Sequence, residues 1–103
     1  MNKDTPLEKK KAEVIIKTAS LVYDFLKENK NADDIDALNF VRKKYDYSNM
    51  EVGDSIELFV VQEGVVYIVY RYIKDNPEKT KQEVAKEIAL SYSNLLNKYC
   101  GEE

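Results

Sequence analysis

Apolar residues recur at steps of three and four along the first quarter of the chain. Between Leu7 and Asn29 they form one stripe, which is the spacing of an amphipathic helix with one buried face. Thr5 and Pro6 stand just before the stripe and suit the cap and the first helical position. The stripe consists of Leu7, Val14, Ile15, Ala19, Leu21, Val22, Phe25 and Leu26.

A shorter helix is predicted after the polar break KENKNADD. Asp33 or Asp34 can cap it, because a short acidic side chain accepts hydrogen bonds from the first free backbone N–H groups. Its apolar stripe consists of Ile35, Leu38 and Val41. We expect this helix to extend to about Tyr45.

The segment 55–73 supports two interpretations. It is rich in Val, Ile and Tyr, and its QEG stretch could form a turn, so propensity alone favours two strands. Asp54 and Glu57 have the spacing of a capping box, which favours a helix. On a helical wheel, residues 57, 64, 71 and 74 lie opposite Leu58, Val65, Val69 and Tyr72.

An internal similarity also favours a helix at 55–73. VYDFLKEN at 22–29 matches VYRYIKDN at 69–76, and YSNM at 47–50 matches YSNL at 92–95, although the second halves align only with a gap of two or three residues. The chain is therefore predicted to be one helical domain, 1–103, with a possible internal repeat of 14–52 and 61–99. Chance similarity is the alternative explanation.

The predicted fold class is all-α, with four to five helices in two related helical hairpins. The alternative is a winged-helix-like α+β fold with a β-hairpin at 55–73. The last helix is predicted to start at Asn76, Pro77 and Glu78 and to reach about Tyr99, with Gly101 ending it. Whether 77–99 is one helix or two stays open at this point.

Composition removes several classes of function. The chain has no His and a single Cys, Cys100, so a Cys–His zinc site, a His-dependent catalytic pair and an intrachain disulfide are excluded within one chain. We predict no enzyme activity, no cofactor and no metal. The N-terminus is too charged for a secretory signal and no run of 18 apolar residues occurs, which predicts a cytoplasmic protein without a membrane span.

The stretch TKQEVAKEIALSYSNLLNKY, residues 80–99, has the pattern of a DNA-binding unit. Gln82 to Ala85 open a first helix, Ala85 supplies a small residue, and Ser91 to Asn94 would begin a second helix. Apolar residues stand at Val84, Ile88, Leu90 and Leu95. Over residues 69–99 the chain resembles the repressor-like helix-turn-helix family. It departs from that family in having Ala89 in place of the turn glycine, Lys98 at an apolar position, and no wing.

The resemblance implies a double-stranded DNA partner and a homodimer. Asn94 and Asn97 would read adenine edges in the major groove, and lysines would contact phosphates. The nucleic-acid-binding residues that it predicts are Lys79, Lys81, Gln82, Ser91, Tyr92, Ser93, Asn94, Asn97 and Lys98.

The formal net charge of −3 argues against a general basic surface for nucleic acid. It supports the second hypothesis, a small acidic helical protein-interaction module such as an immunity protein, inhibitor or adaptor. Eight tyrosines, with Tyr67, Tyr70 and Tyr72 close together, suit a protein interface.

Overall fold

The computed structural model of the protein describes residues 6–45, 47 and 50–94. In this part of the chain there are four α-helices and no strand: α1 (Pro6–Glu28), α2 (Asp34–Lys43), α3 (Val52–Asp75) and α4 (Lys81–Ser91). The all-α prediction is confirmed. The alternative with a β-hairpin at 55–73 is wrong, because α3 spans that segment without a break.

The caps of α2 and α4 explain where the short helices begin. Asp33 accepts a hydrogen bond from the Asp36 backbone, and Asp36 accepts one from the Asp33 backbone, so the predicted cap is part of a reciprocal capping box. Thr80 and Glu83 form the same arrangement at the start of α4. Each box satisfies N–H groups that have no partner inside the helix.

The predicted start of the last helix at Asn76 is wrong. Asn76 ends α3, and its side-chain amide donates to the Tyr72 carbonyl 3.0 Å away. Pro77 lies in the turn that follows. The Thr80 box begins the next helix instead, because its reciprocal bonds with Glu83 satisfy backbone N–H groups that have no partner inside the helix.

The predicted capping box of Asp54 and Glu57 is also wrong. Glu51 is the N-cap of α3 and makes no side-chain capping bond, while Asp54 lies inside the first turn. Glu57 pairs instead with Lys11 of α1, with 2.7 Å between the ammonium and the carboxylate.

Burial accounts for the helical state of α3 despite its many β-branched residues. Its fully or nearly fully buried positions recur at helical spacing and pack against α1. They are Leu58, Gln62, Val65, Val66, Val69 and Ile73. Tertiary packing of this stripe outweighs the strand propensity of the individual residues, which is worth only about 1 kcal/mol per residue.

The two long helices run parallel, as contacts at both ends show. Near their starts, Lys11 pairs with Glu57. Near their ends, the Lys27 ammonium donates to the Pro77 carbonyl at 2.7 Å, and the Lys74 ammonium donates to the Lys30 carbonyl at 3.2 Å. The short helices α2 and α4 each contact both long helices.

Equivalent features of the two halves lie 47 positions apart. The long helices end at Glu28 and Asp75, and the short helices begin at Asp34 and Lys81. Buried positions follow the same offset in seven pairs, and these pairs need no gap: Ile15 with Gln62, Thr18 with Val65, Ala19 with Val66, Val22 with Val69, Leu26 with Ile73, Ala37 with Val84, and Val41 with Ile88.

Candidate functional site

The outward side of α3 presents apolar side chains to solvent. Val52, Ile56 and Val60 are 73%, 53% and 62% exposed, and Tyr67 is 49% exposed. Because residues four apart lie on one helix face, the first three form a continuous row, and Tyr67 extends it by about two turns. These four residues are called the α3 stripe below.

The equivalent face of α1 is polar. The positions 47 residues before Ile56, Val60 and Tyr67 are Lys9, Glu13 and Ser20. Lys9 and Glu13 are exposed, and Ser20 is half-buried. One long helix of this fold therefore has charged and polar residues where the other has isoleucine, valine and tyrosine. The fold does not require apolar residues at these positions, so the α3 stripe needs another explanation.

Charged groups of opposite sign stand near the two ends of the α3 stripe. Glu51 is exposed beside Val52 at the N-terminal end. Arg71 is exposed at the other end, where its guanidinium donates to the Tyr67 hydroxyl at 2.8 Å and lies over the Tyr67 ring. The hydrogen bond to Tyr67 raises the pKa of Arg71. Glu63 is exposed beside the middle of the stripe.

A buried polar cluster lies on the inward side, between α1, α3 and the segment after α2. Thr18 and Gln62 are fully buried, and the hydroxyl of Thr18 and both amide atoms of Gln62 have no hydrogen-bond partner. The same is true of the hydroxyls of Tyr45 and Tyr47.

Contacts between aromatic rings position Tyr45 and Tyr47 in this cluster. Tyr45 and Tyr47 stack with 5.8 Å between centroids, and Tyr47 meets Phe59 edge-on at 4.6 Å. Burial is the main cause that raises the pKa of both tyrosines. Thr18 lowers the pKa of Tyr45, and Gln62 lowers that of Tyr47, but these effects are smaller than that of burial. These side chains are close to the phenols without forming well-aligned hydrogen bonds.

The described residues among those predicted to bind nucleic acid lie at or beside the two ends of α4. The Lys81 ammonium pairs with Asp24 of α1 at 3.0 Å. Tyr92 is half-buried near Gly64 of α3, where an added Cβ would lie 3.1 Å from the Tyr92 hydroxyl. Gln82, by contrast, is exposed on the outward side of α4.

Two further residues of this set take part in hydrogen bonds. The Ser91 hydroxyl donates to the Glu87 carbonyl at 3.2 Å, and the Lys79 carbonyl accepts from the Tyr23 hydroxyl at 3.1 Å. Ser93 is half-buried and Asn94 is exposed. The remaining two predicted residues, Asn97 and Lys98, lie outside the described residues, as does Cys100.

A break in helical geometry follows α4. The last helix is continuous through Ser91, a turn falls at Tyr92, and Ser93 and Asn94 are helical again. Ala89 has no glycine-like conformational freedom to end the helix earlier. Ala85 and Leu90 are exposed, Leu90 at 69%.

Over residues 6–45, 47 and 50–94, no group of three or more acidic or cysteine side chains is placed to hold a metal ion. None of the described helices has the length and apolar character needed to cross a membrane. Comparison with protein-family models, with curated proteins and with solved structures gives no match for this chain.

The α3 stripe was not predicted from the sequence, although Tyr67 was identified within a tyrosine-rich patch. The structure separates that patch, because Tyr67 is exposed while Tyr70 and Tyr72 are half-buried. The sequence signal for this surface is the four-residue spacing of Val52, Ile56 and Val60. It becomes informative only when the buried side of α3 is known to consist of other residues.

Proposed function

We propose that this chain is a protein-binding module and that the α3 stripe is the centre of its binding surface. The observation behind the proposal is the contrast between the two long helices. At equivalent outward positions α1 has Lys9 and Glu13, whereas α3 has Ile56 and Val60. Burial in a complex gives these apolar side chains a reason to be there, since they contribute little to the fold.

The size of the stripe suits the core of an interface. Complete burial of a Val or Ile side chain is worth about 1.5–3 kcal/mol. The stripe residues are about half to three-quarters exposed, so covering each of them would contribute about 1 kcal/mol or somewhat more. Aromatic residues and Arg are enriched in interfaces, and Tyr67 with Arg71 supplies such a pair at one end.

Quantitative co-purification tests this proposal. The tagged chain is isolated from its native cells, and co-purifying proteins, including untagged copies of the chain itself, are compared between variants. Val60→Lys and Ile56→Lys should each remove a protein that the unaltered chain retains, because a lysine ammonium would be buried without a partner. Ile16→Lys is the matched control, since Ile16 is an isolated exposed isoleucine on α1.

The comparison between these variants decides the result. Loss with both α3 variants and retention with Ile16→Lys supports the proposed surface. Equal retention in all three variants contradicts it, provided that circular dichroism shows each variant to be folded.

DNA binding through residues 80–99 is the second candidate function. The observation that favours it is the helical break at Tyr92, with helical residues on both sides. Fluorescence anisotropy with mixed duplex DNA at low and physiological salt tests it. Binding that weakens steeply with salt is expected of phosphate contacts, and Asn94→Ala should reduce it. The absence of binding at low salt would leave the protein-binding function alone.

A further inference from the structure

We propose that the α3 stripe binds a second copy of this chain, with the two α3 helices packed antiparallel about a twofold axis. This inference rests on the proposed function and names its partner. A twofold interface uses the same patch on both subunits, so the patch must be complementary to itself. The α3 stripe has that property in both its apolar residues and its charges.

The apolar residues define the register. The stripe extends from Val52 to Tyr67, about 22 Å along the helix at 1.5 Å per residue. In an antiparallel pair centred between Val60 and Glu63, Ile56 of one copy lies opposite Tyr67 of the other. The aromatic ring then covers the branched aliphatic side chain twice, once on each side of the axis.

The end charges complement each other in the same register. Arg71 of one copy comes beside Val52 and Glu51 of the other, so each end of the interface acquires an ion pair at its exposed rim. A parallel arrangement would instead place Glu51 beside Glu51 and Arg71 beside Arg71. Complementary rim charges fix the orientation and register of an interface more than its affinity, and here they select the antiparallel pairing. Antiparallel helices also align their dipoles favourably.

Glu63 opposes this pairing. It is exposed beside Val60, and in the stated register the two Glu63 carboxylates approach each other across the axis. Like charges in such a position weaken association. We therefore expect a reversible dimer that becomes tighter when Glu63 is replaced by Gln.

Analytical ultracentrifugation over a concentration series tests the dimer. The unaltered chain should show a monomer–dimer equilibrium. Val60→Lys should weaken dimerisation at least tenfold, while Ile16→Lys should leave it within about twofold. Ile56→Lys repeats the test at a second position should Val60→Lys fail to fold.

A charge-reversal cycle tests the orientation. Glu51→Arg and Arg71→Glu should each weaken the dimer severalfold, and the double variant should restore it, because both rim pairs are then reformed with reversed sign. Single variants that weaken the dimer without recovery in the double variant would overturn the antiparallel pairing.

Two further results would overturn the inference in different ways. If the chain stays monomeric up to millimolar concentration, it does not self-associate and the inference is wrong. The proposed function would still hold if another protein co-purified with the unaltered chain and was lost from Val60→Lys and Ile56→Lys. A dimer insensitive to both Val60→Lys and Ile56→Lys uses another surface. If co-purification is also insensitive to these changes, the proposed function fails with it.

Discussion

Substitution of Val60 by lysine should leave the folded monomer about as stable as before, although it changes an apolar residue into a charged one. Val60 is 62% exposed, so only a minor part of the roughly 1.5–3 kcal/mol for full burial of a valine is present in the fold, about 0.5–1 kcal/mol. The lysine stem covers part of the same surface, and lysine is a better helix former than valine by a few tenths of a kcal/mol. The net change in the free energy of unfolding should be within about 0.5 kcal/mol.

Val69→Ala gives the matched comparison on the opposite side of the same helix. Val69 is fully buried among α1 and α3 residues. Its truncation removes two methyl groups, worth about 0.8 kcal/mol each, and leaves a cavity whose cost adds to that loss. We expect the free energy of unfolding to fall by about 2–3 kcal/mol.

Urea unfolding followed by far-ultraviolet circular dichroism measures both changes. The protein concentration should be low and equal for all variants, because association would add to the apparent stability. A loss with Val60→Lys as large as that with Val69→Ala would refute the reasoning, since it would mean that the α3 stripe is packed within the isolated chain.

Three further predictions concern the interior, the helix caps and the response to alkaline pH. Gln62→Leu should raise the free energy of unfolding by about 1–3 kcal/mol, because both amide atoms are buried without partners. A lower free energy of unfolding in urea would show that these atoms do have partners. Asp33→Ala and Thr80→Ala should each lower stability by about 1 kcal/mol, and the same assay would contradict the cap assignments if neither change had an effect. Burial raises the pKa of Tyr45 and Tyr47 above the ordinary 10.0, so the stability that they contribute is complete below pH 10 and is lost as the pH rises through their folded-state pKa. Ultraviolet titration of phenolate absorbance should therefore show part of the ionisation at higher pH in the folded protein than in the urea-unfolded protein, and identical titration curves would contradict this.

The parts of the fold that depend on neighbouring residues were predictable from the sequence. The start of α1 at Pro6 follows from the residue type and the stripe behind it, and the Asp33 cap follows from a side chain that reaches its own helix. The start of α4 was not predicted, because Asn76 and Thr80 are both good caps locally. The end of α3 decides between them, since the Asn76 amide is already bonded to Tyr72.

The candidate site was harder to predict because exposure is a property of the assembled helices. The composition of α3 makes both of its sides apolar, and only the packing of α1, α2 and α4 shows that Val66 and Val69 face inward while Val60 faces solvent. The turn within the motif at 80–99 likewise depends on the assembled helix. Its pattern fixes residue types, whereas the turn position depends on where α4 loses helical geometry, which is at Tyr92.

From the common offset of 47 positions we propose that the chain consists of two similar halves, which is what the predicted internal repeat implies. The interactions at the helix ends obey the same offset: Lys27 with Pro77 corresponds to Lys74 with Lys30. The ring contact of Lys27 over Tyr23 likewise corresponds to that of Lys74 over Tyr70. The two halves differ on the outer face of the long helices, where α1 has Glu13 and α3 has Val60 at the equivalent position.

That difference also allows the most direct test of the proposed binding surface. A photoreactive amino acid is placed at position 60 in one variant and at the equivalent position 13 in another, and both variants are irradiated in native cells. The account predicts a protein adduct from position 60, either with a second copy of the chain or with another protein, and little or none from position 13. Equal labelling from both positions, or labelling from position 13 alone, would contradict it.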